Sequence, residues 1–144
     1  MSLKGSRLGI EGFRLKGLRQ GLIVRDHTRL HAFKLADDVA VLIYTLTAGF
    51  PRDELYGLTS QMRRSAVSVP SNIVEGCARE SLTEYLRFLE IAFGSLKELH
   101  YQFDLSRRLN YCTELETSEC ESKIIEAEKV LNSLMRSLRN TKGV

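Results

Sequence analysis

The sequence predicts an all-α fold, an antiparallel up-down-up-down four-helix bundle, and three observations carry that expectation. Four stretches place apolar residues at steps of three and four, the spacing that gathers side chains on one face of an α-helix. Only two prolines, Pro51 and Pro70, interrupt 144 residues, too few breakers for a many-turned β fold. Hydrophobic residues at 43% and charged residues at 27% suit one domain with a sizeable core and argue against wholesale disorder. Short links between consecutive helices favour antiparallel neighbours.

Residues 1–24 carry Gly5, Gly9, Gly12, Gly17 and Gly21 and no sustained period. They read as a basic arm or extension, flexible and outside the packed domain, with residues 25–142 forming the bundle. Through Arg25 the segment holds six basic residues, among them Arg14, Lys16 and Arg19, against Glu11 alone. The remainder holds 15 bases and 17 acids. The formal net charge of +3 therefore hides a basic front end. Such an arm is either a solvated tail or a contact for a polyanion.

In the first helix Ala32, Leu35, Val39, Leu42 and Leu46 form the stripe, Ala36 and Ile43 widen it, and Gly49-Phe50-Pro51 ends it. The second helix opens at Asp53 and Glu54, acids that suit the positive end of the helix dipole. Leu55, Leu58, Met62, Ala66, Val69 and Ile73 follow in phase. Pro70 lies within this stripe; it cannot donate to the Ala66 carbonyl and its ring crowds that turn, so one helix kinked at Pro70 is expected. Ser81 with Glu84 reads as a capping box opening the third helix. Leu82, Leu86, Leu89, Phe93, Leu96 and Phe103 run along it, beside a second stripe of Tyr85, Phe88, Ala92 and Leu99. A stripe that wide fits a helix that also touches another subunit. The third helix ends near Leu109 and Asn110. The fourth starts between Thr113 and Ser118 and carries Ile124, Ala127, Leu131, Leu134 and Leu138.

Chemistry is sparser. Cys77, Cys112 and Cys120 are odd in number and lack CxxC spacing, which suits a reducing cytoplasm better than a disulfide framework. No stretch approaches the roughly 20 apolar residues of a membrane span. His27 and His31 are four apart, but no third ligand of matching spacing follows. No nucleophile elbow, P-loop or dinucleotide fingerprint is present, so no catalytic residue, cofactor or metal ligand is assigned. The carboxylates from Glu114 to Glu128 read as a solvated face, and Cys77 as a small buried thiol.

Two sets of residues stand out. Ser68, Pro70, Asn72, Glu75 and Arg79 gather around the proline. They read either as polar groups satisfying the carbonyl that Pro70 strips of its donor, with Glu75 and Arg79 a favourable i,i+4 pair, or as a recognition notch. Arg63-Arg64, Arg107-Arg108, and Arg136 with Arg139 and Lys142 suit phosphate contacts. They equally suit solvated faces, inter-subunit pairs or, for the last group, a helix C-terminus.

One string is more specific than periodicity. F-P-R-D-E-L-Y-G-L-T-S-Q-M-R-R-S-A-V-S-V-P-S-N-I-V-E-G-C-A-R, from Phe50 to Arg79, strongly resembles the bacterial four-helix-bundle family named for proteins encoded in 23S rRNA intervening sequences. E-Y-L-R-F-L-E-I-A-F-G-S-L-K-E-L, from Glu84 to Leu99, does so too, and Ala32 to Thr47 looks like the family's first helix. The resemblance covers about residues 25–140, with Ser-Val-Pro-x-Asn-Ile-x-Glu-Gly its most specific piece. Phe93 before Gly94-Ser95, and His100-Tyr101-Gln102-Phe103, depart from the family pattern.

The resemblance implies a homopentamer around a central channel. It also implies a fold shared with the accessory variability proteins of diversity-generating retroelements, similar basic pentamers that bind nucleic acid and a reverse transcriptase. Most members have no assigned activity, since the family name records a genomic location. The expectation is therefore a non-enzymatic cytoplasmic bacterial protein, a homo-oligomer that binds RNA or DNA as an accessory factor. The alternative is a scaffolding oligomer that takes a protein partner through the kinked second helix.

Overall fold

Helices form where the apolar stripes keep phase longest, and the structure, a computed structural model, describes residues 25–142 of the chain. The arm through residue 24, with Arg14, Lys16 and Arg19, lies outside the described residues. Among those described there are four α-helices and two short 3-10 turns.

The first turn, His27–Arg29, is capped by Asp26, whose carboxylate accepts the Thr28 N–H at 3.1 Å. It leads into α1 (His31–Thr47), which buries Ala32, Leu35, Ala36, Val39, Ile43 and Leu46. The second helix starts later than its charges suggest. Arg52–Glu54 is a separate 3-10 turn, and α2 runs Leu58–Cys77. Leu55, expected in the stripe, is 50% exposed.

Glu54 nevertheless serves the start of α2 from outside it. One carboxylate oxygen accepts the Leu58 N–H at 2.9 Å and the other accepts the Tyr111 hydroxyl at 2.8 Å. The Leu58 backbone bond first, and the phenol second, hold the Glu54 carboxyl below the usual carboxylate range. A carboxylate reaching in from the preceding turn meets the same exposed N–H groups as one in the first turn. Sequence charge cannot tell the two apart. From Leu58 the helix continues through Pro70, with Met62, Ala66, Val69, Ile73 and Cys77 buried on both sides of it.

Ser81 caps α3 (Leu82–Arg108), its hydroxyl accepting the Glu84 N–H at 3.0 Å. The helix closes on Asn110 at φ 61°, with Asn110 N–H donating to Arg107 and Tyr111 N–H to Ser106. That bond pair satisfies carbonyls that a helix end otherwise leaves open. Leu86, Leu89, Leu96 and Phe103 are buried, and so are Tyr85, Ala92 and Leu99 of the second stripe. The width of the stripe has an explanation within the chain, because α3 packs against both α2 and α4. For these residues it calls for no second subunit.

Thr113 begins α4 (Glu114–Lys142), accepting the Glu116 N–H at 3.3 Å and donating to the Glu116 carboxylate at 2.9 Å. Cys120, Ile124, Ala127, Leu131, Leu134, Met135 and Leu138 turn inward. Each fully buried Leu or Ile contributes about 1.5–3 kcal/mol, so four such rows outweigh any single polar contact described below. Glu128 departs from the solvated face expected of its neighbours. Its side chain is 13% exposed and held by His100 Nδ1 at 2.7 Å and Lys97 Nζ at 3.5 Å.

The helices follow one another around the core, α1 between α2 and α4, and α3 between the same two. Ser68 meets Ser95, while Gly76 lies against Tyr85 and Phe88. Arg107 meets Glu121, His100 meets Glu128, and Arg139 meets Glu90. At one end Tyr111, from the α3–α4 link, packs its ring 5.4 Å from that of Phe50 and bonds Glu54, tying the two loops there together.

Candidate functional site

Arg63 of α2 and Arg79, two residues past its end, each lie over an aromatic ring, and their surroundings differ. Arg79, near the end of the helix, has its guanidinium 4.7 Å from the centre of the Phe88 ring. Its Nη2 donates to Glu75 at 2.6 Å, and its Nε is 4.0 Å from Glu84. Its backbone carbonyl accepts from Arg25, a buried residue whose guanidinium lies 4.4 Å from the centre of the Tyr85 ring. Burial lowers the Arg25 pKa, with Tyr85 and Cys77 opposing that shift. Gly76 permits the close approach of α2 to α3 here: a Cβ on it would sit 2.9 Å from Phe88 Cβ and 3.2 Å from Tyr85 Cδ1. This region is an ion-paired, tightly packed corner.

Ser68 and Asn72 lie one to two turns back. The Ser68 and Ser95 hydroxyls are 2.8 Å apart, and the Asn72 amide donates to the Ser68 carbonyl at 2.8 Å and hydroxyl at 3.0 Å. The carbonyl that Pro70 deprives of its donor belongs to Ala66. The expected replacement therefore falls elsewhere, because the Asn72 amide reaches the Ser68 carbonyl and bridges toward α3. Val67, Val74 and Ile91, each about two-fifths exposed, lie on the same two helices. Cys77 is buried, and burial pushes its thiol up to about 11, which leaves it protonated and unreactive at neutral pH.

Arg63 belongs to a different setting. Its guanidinium lies 4.6 Å from the centre of the Tyr44 ring, on α1. Nε donates to the Thr47 hydroxyl at 2.8 Å and Nη2 to the Tyr44 carbonyl at 3.3 Å. Both acceptors are neutral, so the charge is held in place without being cancelled. Beside it opens a groove of about 520 Å³ lined by Tyr44, Leu55, Tyr56, Thr59, Ser60, Arg63 and Arg64. No carboxylate lines it. Tyr56 is 93% exposed, on a loop held by Leu55 N–H to Arg52 and Gly57 N–H to Glu54 backbone bonds. Arg64 is exposed and has no ion pair among the described residues.

The other predicted phosphate contacts fare differently. Arg107 is bonded to Asp104 at 2.8 Å and Glu121 at 3.3 Å, and the Asp104 bond leads the causes that raise its pKa. Arg108 lies 3.3 Å from Asp104, and Arg139 lies 2.9 Å from Glu90. Arg136 is exposed and stands apart from the groove on α4. A second cavity of about 330 Å³, between α1 and α4, is lined by Leu42, Thr45, Leu46, Gly49, Glu116, Glu119 and Cys120. Its two carboxylates disfavour an anion, and burial pushes the Cys120 thiol up to about 12. His27 packs edge-on against Phe33 at 4.8 Å. Among the described residues no three potential metal ligands cluster, and no helix is long and apolar enough to cross a membrane.

The structure thus brings Arg63 and Arg64 together with two tyrosines that sequence reasoning passed over. A signal for Tyr44 was present: it falls off the apolar stripe of α1, on the side opposite Val39 and Leu46. Tyr56 sits in a linker, where periodicity gives no information.

A family model described as 23S rRNA-intervening sequence protein matches residues 28–133. No curated protein matches the chain. Among solved structures, a protein of unknown function from the S23 ribosomal protein family of Bacteroides thetaiotaomicron VPI-5482 is similar, with a TM-score of 0.67 and 24% sequence identity. The match covers 73% of this chain and 95% of that one. At that identity the likeness concerns the fold.

Proposed function

The chain belongs to the 23S rRNA-intervening sequence protein family, and from that premise we propose that it is a non-enzymatic, homo-oligomeric accessory protein that binds nucleic acid through the groove between α1 and α2. The observation that supports this most is Arg63, stacked on Tyr44 and bonded to neutral oxygens beside Arg64, in a groove without a carboxylate in its lining. A guanidinium held without a counter-charge attracts phosphate, and its contribution falls as salt rises. A cytoplasmic ring of five copies, with the helices alternating in direction and α2 bent at Pro70, completes the proposal. Apolar side chains left in water on one chain, Val41 at 62% and Leu115 at 83% exposure, suit a protein that meets copies of itself.

The test is affinity for a structured RNA and a DNA duplex at about 0.05 and 0.2 M salt, with the solution mass measured in parallel. Binding that weakens steeply across that range, by a particle five times the chain mass, is the expected result. Absence of binding at low salt overturns the nucleic-acid role, and a monomer overturns the ring.

A second reading places a protein partner, such as a reverse transcriptase, on the Ser68–Asn72–Ser95 bridge. The exposed Val67, Val74 and Ile91 on the same two helices favour it. Its signature is a co-purifying protein that survives nuclease treatment and is lost on Asn72→Ala. Retention by that variant removes this surface.

A further inference from the structure

We propose that the groove between α1 and α2 accepts an unpaired nucleobase, so that the protein prefers single-stranded nucleic acid to duplex; this rests on the nucleic-acid reading above. Phosphate contacts alone do not discriminate between the two, since both present a charged backbone. What discriminates is an aromatic face offered to a base, because bases inside a duplex are stacked on each other.

The groove offers such faces with little need for rearrangement. Tyr44 carries the Arg63 guanidinium over its ring, and two hydrogen bonds fix that plane. Tyr56 stands 93% exposed on a hydrogen-bonded loop. At that exposure its ring is open to stack on a base. Ser60, exposed on the first turn of α2, adds a hydroxyl that suits base edges or sugar oxygens. Arg64, exposed and without an ion pair among the described residues, supplies a phosphate contact in addition to that of Arg63.

The nearby acids do not undo this. Glu54 engages both carboxylate oxygens with the Leu58 N–H and the Tyr111 hydroxyl and does not line the groove. Asp53 remains exposed on the preceding turn and lowers the local attraction without closing the site. The 520 Å³ space is open to solvent on one side, as a strand passing through requires.

The experiment titrates the full chain with a fluorescent twelve-nucleotide oligouridylate, an oligothymidylate of equal length, and a blunt-ended hairpin whose loop is a linker without nucleotides, at about 0.05 M salt. Preference for either single strand over the hairpin by about tenfold or more is expected. Tyr56→Ala, at a position too exposed to disturb folding, is expected to weaken single-strand binding about five- to hundredfold and leave the hairpin unchanged. Tyr56→Phe keeps the stacking face and restores affinity. Equal affinity for strand and hairpin, or single-strand binding indifferent to both Tyr56→Ala and Tyr44→Leu, overturns this inference while leaving the accessory role standing. No binding of any probe overturns both. A fall in solution mass on Tyr56→Ala with oligonucleotide affinity intact assigns the ring to a subunit contact and overturns the inference.

Discussion

Arg63, within α2, and Arg79, two residues past its end, share a stacking geometry, at 4.6 and 4.7 Å from the centres of their aromatic partners, yet they are different chemical objects. Arg79 is bonded to Glu75 and lies close to Glu84. Its positive charge is largely cancelled within the chain, and its work is to hold the α2–α3 corner. Arg63 meets a hydroxyl and a carbonyl, which fix its direction and leave its charge. The difference shows that an arginine over a ring is not by itself a binding site. The counter-charge decides.

If the Arg79 corner is structural, crowding it should have the largest effect on stability. Gly76→Ala drives a Cβ to 2.9 Å from Phe88 Cβ, where neither backbone nor the base of a side chain yields easily. A loss of about 2 kcal/mol is expected from overpacking of this kind, read by urea unfolding. A neutral result would mean that the corner is looser than its distances say. Arg79→Ala should follow at about 1 kcal/mol, since a half-exposed ion pair and one cation–π contact are each modest. Oligonucleotide affinity should stay unchanged in that variant. A marked loss of affinity would erase the contrast between the two arginines.

The smallest effect concerns the loop that carries Tyr56. The Glu54 carboxyl is held below its ordinary range, so its stabilisation is present above about pH 4 and is lost as pH falls through the lowered value. The Tyr111 phenol is raised, chiefly by its bond to Glu54, so its share is present below about pH 10 and is lost as pH rises through the raised value. Tyr111→Phe should therefore lower the Tm slightly between those limits and converge with the parent protein outside them. A difference that persists unchanged at pH 3 would disconnect the bond from the loop's stability.

Much of this architecture was legible in the sequence, and the losses have a common cause. The stripes of α1, α3 and α4 stood in the spacing because burial along one helix is a local pattern. The start of α2 did not, since Glu54 reaches its N–H groups from the preceding turn and leaves Leu55 in water. Glu128 looked like its exposed neighbours because its partners, His100 and Lys97, lie on another helix. Arg107-Arg108 and Arg63-Arg64 are alike as dipeptides. Asp104, three and four positions before the first pair, was a visible sign that its charges are answered locally. The partners of Arg63 come from α1, and a single sequence holds no record of which faces meet.

The most direct measurement is the salt dependence of oligonucleotide affinity in Arg63→Gln and Arg79→Gln, compared with the parent chain. Removing one phosphate contact to a single strand should flatten the slope of log affinity against log salt by about 0.7. That change is expected for Arg63→Gln and not for Arg79→Gln. Equal slopes in all three proteins, or a flattening confined to Arg79→Gln, would contradict the assignment of the groove.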